Sequence, residues 1–464
     1  MLDISIKEHG FNIYLYASLL TVNVALFSSS TTLVWSSPVI PQLLSNDGDV
    51  NPLGEPITPL QQSLIGGLPY LGGILGPLLL GRLCDILGRK KTSILLAVFT
   101  SIAFGVLAFA TNLYTYYVLR TRLGALLFYC IVVTSVYSTE ITEDHNRGKF
   151  QCLLTLFHVS GFLYSYVLGL FFPITSYTLL CAAPSVLSII PMFFIPESPY
   201  YLAKKDEAQA IQVLRKLRAK NDVSKDLALI KATINSSTAS NKGNWRHLLT
   251  LPTNRKACFI CFGAMILQEC SGAPAIIAYN GPIFNALDLP GNLVSVMLGI
   301  LRSLAAGLPF ILVERFGKRY LMMISTAGCC ISFFMIGIYF YLQSINLSDI
   351  DKIGWLPVVG VLTYVSFYGI GIGPGATALG GELFSEDAKT LGISVIHTFA
   401  SLLCFIVTFG FPLVTHFLGM YWPFIMFGIV CGIGVAFVYW FVPRTEGKSY
   451  LEIQEILGGN MQNK

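Results

Sequence analysis

Apolar runs of about twenty residues recur along almost the whole chain, and they restrict its fold more than any motif does. In hydrocarbon every backbone polar group must be satisfied within the segment, so a helix of roughly 20 residues is what crosses a core about 30 Å thick. Twelve runs qualify, near 12–35, 60–80, 92–110, 113–136, 150–172, 175–195, 257–285, 291–313, 320–343, 355–384, 391–417 and 421–442. Barrel strands would show short alternating segments, whereas these runs are apolar on every face. Composition agrees: the chain is 54% hydrophobic, 13% aromatic and 12% charged, with a mean hydropathy of +0.66, far from an average soluble domain. The reading is an all-α membrane protein with the lipid bilayer as its first partner.

Charge orients the bundle. Of 30 Lys and Arg, Arg120, Arg122 and Arg302 fall within runs and Lys352 in a loop on the other side, which leaves 26 on one face. That face is expected in the cytoplasm, with both termini on it, and the first run serves as its own insertion signal. The net charge of +5 follows from this topology and from attraction to anionic lipid, so no nucleic-acid partner is expected. The 11 cysteines lie in or beside runs, which implies no disulfide framework. Cys258-x-x-Cys261 enters an apolar helix without a second ligand pair and reads as packing. Gly447-Lys448-Ser449 lacks the first glycine of a phosphate loop, since Val442 stands there and no strand precedes it. No metal, no cofactor and no enzymatic chemistry are expected.

The chain also repeats itself. Gly88-Arg89-Lys90 is echoed by Gly317-Lys318-Arg319 229 residues later, and Glu140 with Arg147 by Glu382 with Lys389 242 residues later. Pro196-Glu197-Ser198-Pro199 returns more faintly as Pro443-Arg444-Thr445-Glu446. Each element recurs six runs on, which implies two pseudo-symmetric six-helix halves with a solute site between them at the midplane. The expected division is 1–196 for the first half, 197–256 for a linker, 257–442 for the second half and 443–464 for a tail. Ala208, Ile211, Leu214 and Leu217 at helical spacing, with Arg215, Lys216 and Arg218 opposite, predict a short amphipathic helix in the linker.

The loop Gly81-Arg82-x-x-Asp85-x-x-Gly88-Arg89-Lys90 resembles the one joining the second and third helices of the major facilitator superfamily. Glu140-x6-Arg147-Gly148, Pro196-Glu197-Ser198-Pro199-Tyr200-Tyr201-Leu202, Gln268-x3-Gly272, Glu314-Arg315-Phe316-Gly317-Lys318-Arg319, Gly373-Pro374 and Gly447-Lys448-Ser449 follow in the order of the sugar porter family. Trp35-Ser36-Ser37-Pro38, then Pro41 and Gln61-Gln62-Ser63, is similar to the insect facilitated trehalose transporter branch. The resemblance implies a major facilitator fold of twelve transmembrane helices.

It also implies roles. Arg82, Asp85, Arg89, Glu140, Arg147 and Glu197 in the first half, and Glu314, Arg315, Lys318, Glu382 and Lys389 in the second, would pair across the halves and latch an outward-open state. Gln268, Tyr279 and Tyr368 match solute-contacting positions, while Thr155, Glu269, Arg302 and Thr377 replace the family's amides and one tryptophan. Pro274 and Ala400-Ser401 remove further amide and aromatic groups. Glu269 and Arg302 are either a cavity ion pair or two separately hydrated side chains. His158 and His397 read as cavity-lining or packed residues. Proton-driven members of the family that the chain resembles carry a first-span carboxylate to meet the residue matching Arg120, and from Leu15 to Pro38 there is no Asp or Glu, which favours downhill transport and leaves proton or ion coupling through Glu269 as the minority reading. The expectation is a monomeric facilitative carrier of a sugar, trehalose or a hexose, in the plasma membrane. A carrier of a charged or other polar organic solute, and a transport-dead sugar sensor, are the alternatives. Asn346-Leu347-Ser348, in an expected outer loop, fits an N-glycosylation acceptor.

Overall fold

The computed structural model describes residues 12–143, 147–240, 251–285, 291–305, 315–346, 350–384 and 386–445, with isolated positions 307, 312, 452, 456 and 457. Among them, eleven helices are long and apolar enough to cross a membrane: Ile13–Leu43, Pro59–Leu80, Arg89–Ala108, Leu113–Ile141, Phe150–Phe171, Ile174–Met192, Pro252–Asn285, Lys318–Ser344, Leu356–Leu383, Leu391–Leu418 and Tyr421–Phe441. At the eighth expected position stands a shorter apolar helix, Gly291–Ala305; residues 306, 308–311 and 313 of that run lie outside the described set. These twelve helices are counted as spans in chain order below.

Local sequence sets where the helices begin. Asn12 accepts from the Tyr14 and Leu15 amides, Thr58 and Gln61 form a capping box ahead of Pro59, and Asn112 accepts from the Tyr114 amide. Such caps satisfy donors that the first turn leaves without partners. Three spans are broken. The first kinks at Trp35, ahead of Pro38 and Pro41; the seventh breaks at Ser271–Gly272, where Gly272 takes φ +84; the tenth breaks at Gly371. Broken helices at membrane depth leave backbone groups free to line a cavity.

Between the sixth and seventh spans lie three helices, Pro199–Lys205, Glu207–Arg218 and Ser224–Ser240. Leu214 and Leu217 of the expected amphipathic helix are buried, Leu214 among Leu202, Val223, Leu227 and Ile230 and Leu217 against the bundle beside Leu19, Ile141 and Met192. The group docks on the end of the bundle that carries the basic loops: the Tyr201 hydroxyl donates to Ile86 O at 2.9 Å and Arg218 to Ile141 O at 2.7 Å. All eleven cysteines are free.

The halves meet tightly at the opposite end. The Ser36 hydroxyl donates to Ala278 O at 3.0 Å, and the Gly281 amide donates to the Ser37 hydroxyl at 2.9 Å, joining the first span to the seventh. Gly66 lets the second span lie against Tyr279, since a Cβ there would sit 2.1 Å from the Tyr279 hydroxyl oxygen.

Candidate functional site

The breaks in the seventh and tenth spans gather the polar residues of the interior. Gln268 and Glu269 end the first piece of the seventh span, and Tyr368 lies just before the break at Gly371. The Gln268 Oε1 is buried without a hydrogen-bond partner. Glu269 is 9% exposed and accepts a hydrogen bond from the Cys404 thiol of the eleventh span at 2.9 Å. Arg302 of the eighth span places its guanidinium 5.2 Å from the Phe162 ring centroid and 5.9 Å from that of Tyr368, so rings from both halves flank it. Asn280 is buried with both amide atoms lacking a partner. His158 shares a 2.7 Å hydrogen bond with the Ser30 hydroxyl and sets its ring edge-on to Phe162.

Of the two readings of Glu269 and Arg302, no ion pair is seen among the described residues, where the thiol engages the carboxyl and aromatic rings flank the guanidinium. Tyr279 is fully buried, donates to Thr408 O at 3.0 Å and to Gln62 O at 3.3 Å, and stacks on Phe411. It closes the end opposite the basic loops. Thr155 and Thr377 are exposed but commit their hydroxyls to carbonyls of their own helices, Gln151 O and Pro374 O, and no described contact joins them to Gln268.

Arg120 is fully buried with no carboxylate at hand. Its Nε donates to Ile65 O at 2.9 Å, its Nη1 to Thr32 O at 2.5 Å, and its guanidinium carbon stands 5.1 Å from the Trp35 ring centroid. Backbone carbonyls and an aromatic face thus take the place of a counterion.

At the basic end the charged residues are knotted within their own halves. Arg89 donates to Glu140 at 2.8 Å and to Asp85 at 3.1 Å, and Glu140 also accepts from the Ser198 hydroxyl. Glu197 accepts from the amides of Arg89, Lys90 and Ser198 at 2.9, 3.1 and 2.8 Å, so its carboxylate caps the start of the third span. Gly88, at φ +93, makes room: a Cβ there would lie 2.3 Å from a Glu197 carboxylate oxygen. Burial pushes the neighbouring Cys84 thiol up to about 11, which keeps it neutral beside this network. In the second half Lys318 pairs with Glu382. The expected pairing across halves is therefore not seen among the described residues, where ion pairs close within a half or involve the linker. Arg82 and Arg315 are exposed. Glu314 and the side chains of Arg147 and Lys389 lie outside the described residues.

Sequence reasoning passed over Cys404 and Asn280. A lone cysteine in an apolar run carries no signal, and Asn280 was hidden by its neighbour Tyr279, although an amide in the middle of a span is itself costly to bury unpaired. Among the described residues no group of three His, Cys, Asp or Glu is placed to hold a metal.

Comparison with known proteins agrees with this architecture. The profile of the family described as "Sugar (and other) transporter" matches residues 9–457. The facilitated trehalose transporter Tret1 of Drosophila willistoni is 30% identical over 415 residues, covering 88% of this chain and 47% of that protein. Its counterpart in Culex quinquefasciatus is 30% identical over 411 residues, covering 88% and 79%. The chain spans about half the length of most of the curated relatives it matches. The inward-open conformation of the xylose transporter XylE from E. coli superposes with a TM-score of 0.80 at 18% identity, over 96% of this chain and 100% of that one. With a matching profile over nearly its whole length, the chain belongs to the sugar transporter family, non-enzymatic carriers built on the major facilitator fold.

Proposed function

We propose that this protein is a facilitative, alternating-access carrier of a sugar, trehalose or a hexose, in the plasma membrane, with its basic end and both termini in the cytoplasm. The observation that carries the reading is the gathering of polar groups where the seventh and tenth spans break, with the Gln268 Oε1 buried and unpaired and Arg302 between rings of the two halves, while Tyr279 joins the halves at the end opposite the basic loops. Such groups are costly unless something completes them, and a sugar hydroxyl both donates and accepts. Gln268, Glu269, Arg302 and Tyr368 are the proposed solute contacts; Arg82, Asp85, Arg89, Glu140, Arg147, Glu197, Glu314, Arg315, Lys318, Glu382 and Lys389 are the proposed gating set. Downhill operation is supported by Arg120, which is held by carbonyls rather than by an exchangeable carboxylate.

The test is uptake into proteoliposomes. Trehalose or glucose entry should saturate, accelerate when solute is preloaded on the far side, and ignore a protonophore. Accumulation above the outside concentration that collapses with the proton gradient would refute facilitation, and a solute that binds without moving would mark a sensor. The orientation is tested by Asn346, which is exposed at φ +52 on the end away from the basic loops. In cells a glycosidase-sensitive band should vanish in Asn346→Gln, whereas loss of that band in Asn235→Gln alone would invert the topology.

A further inference from the structure

Arg302 stands apart from the other charged groups of the interior. Its guanidinium lies between a ring of the fifth span and a ring of the tenth, one from each half, so it sits at the junction of the two halves. Among the described residues it makes no hydrogen bond and no ion pair, and the one carboxyl nearby, Glu269, is engaged by the Cys404 thiol. A guanidinium has five N–H donors and no acceptor, so neither a neighbouring amide donor nor an aromatic face completes it. Ring contact leaves its N–H donors unmatched, and a guanidinium in that state is suited to two parallel hydrogen bonds to a carboxylate.

Two amides of the seventh span have the opposite need. The Gln268 Oε1 is a buried acceptor without a donor, and the Tyr166 hydroxyl beside the buried Asn280 amide cannot complete both of its atoms. These are satisfied by hydroxyls, not by a second anion. We infer that the site also takes a polyhydroxylated monocarboxylate, a sugar acid, whose carboxylate is held by Arg302 and whose hydroxyls complete Gln268 and Asn280. One guanidinium matches one negative charge; a phosphate monoester, at nearly two charges near neutral pH, would leave an excess in the membrane interior. This inference rests on the proposal that this interior region is a transport site, and it adds an acidic sugar to the neutral ones as a solute of that site.

The test uses the full chain in proteoliposomes, with counterflow of D-glucuronate, its methyl ester, D-glucose and trehalose. The ester keeps the ring and removes the charge. Glucuronate should be preferred to the ester by about ten- to a hundredfold in kcat/KM, the range for a charge-assisted contact that one solute makes and the other does not. Arg302→Gln should abolish that preference, bringing the acid-to-ester ratio to about one, and Arg302→Lys should keep only part of it, because lysine lacks the planar fork. If glucose or trehalose exchanges while glucuronate neither exchanges nor competes, the inference is wrong and the transport proposal stands. If none of the four exchanges or protects the protein against thermal unfolding, the transport proposal fails with it. Should Arg302→Gln not fold, the acid-to-ester ratio of the unsubstituted protein decides the question.

Discussion

The two halves treat their buried charge differently. In the first half each buried charge is tied down: Arg120 by two carbonyls and a tryptophan face, and Arg89 by Glu140 and Asp85. In the second half Arg302 has only aromatic faces, Glu269 only a thiol, and Lys318 and Glu382 form a pair whose carboxylate side chain is 37% exposed. Arg89 Nε and Arg120 Nη2 are left without partners, but the other donors of both arginines are held by carboxylate or carbonyl oxygens, whereas Arg302 has no such bond among the described residues and remains available to a ligand. The contrast places the rigid wall in the first half and the chemically responsive wall in the second.

Substitutions that remove one partner at a time should expose this difference, and the largest effect belongs to the first half. Glu140→Gln leaves Arg89, whose side chain is 11% exposed, without its closest counterion. Removing one partner of such a buried pair typically costs about 3–5 kcal/mol. Thermal unfolding of the purified protein should show it, and a loss no greater than that of Glu382→Gln would break the contrast. Arg120→Gln comes next. Two charge-assisted bonds to carbonyls are lost, worth about 3 kcal/mol together, and Arg120→Lys should recover little because it cannot reach both carbonyls with one planar group.

Glu382→Gln should cost about 1 kcal/mol or less, as expected for a partly solvated pair, and should weaken further in salt. The smallest effect is the coupling between Glu269 and Arg302. Without contact, Glu269→Gln and Arg302→Gln should add to within about 0.5 kcal/mol in a double-mutant cycle. A larger coupling, read by unfolding or by transport, would mean that the two meet in another conformation of the cycle.

Much of this architecture was legible in the sequence because the bilayer imposes a length rule. Eleven of the expected runs are long helices and the run at 291–313 contains the helix Gly291–Ala305. The within-half ties were half legible: the repeated spacing pointed to Arg89, Glu140, Lys318 and Glu382, but spacing along a chain does not say which half a partner comes from. The interior was read least well. Tyr279 was expected among the solute contacts, but its hydrogen bonds to Thr408 O and Gln62 O join helices far apart in the chain and have no local pattern. That Arg302 lies on Phe162, and that Cys404 donates to Glu269, are meetings of helices more than a hundred residues apart with no local pattern to announce them. The buried amides of Gln268 and Asn280 could be noticed in sequence only as costs awaiting an explanation.

The carboxylate of Glu197 gives the first half an order of assembly. The amides that open the third span, those of Arg89 and Lys90, are capped by a residue that follows them by 108 and 107 positions. While the chain is being made, the third span enters the membrane with those donors facing water, and they are closed only after the sixth span has been delivered and Glu197 has emerged behind it. The contact works as a clasp fastened last, drawing the far end of the half back onto its beginning. A nascent chain stopped before Glu197 would hold all six helices and still lack the tie that fixes the third against the sixth.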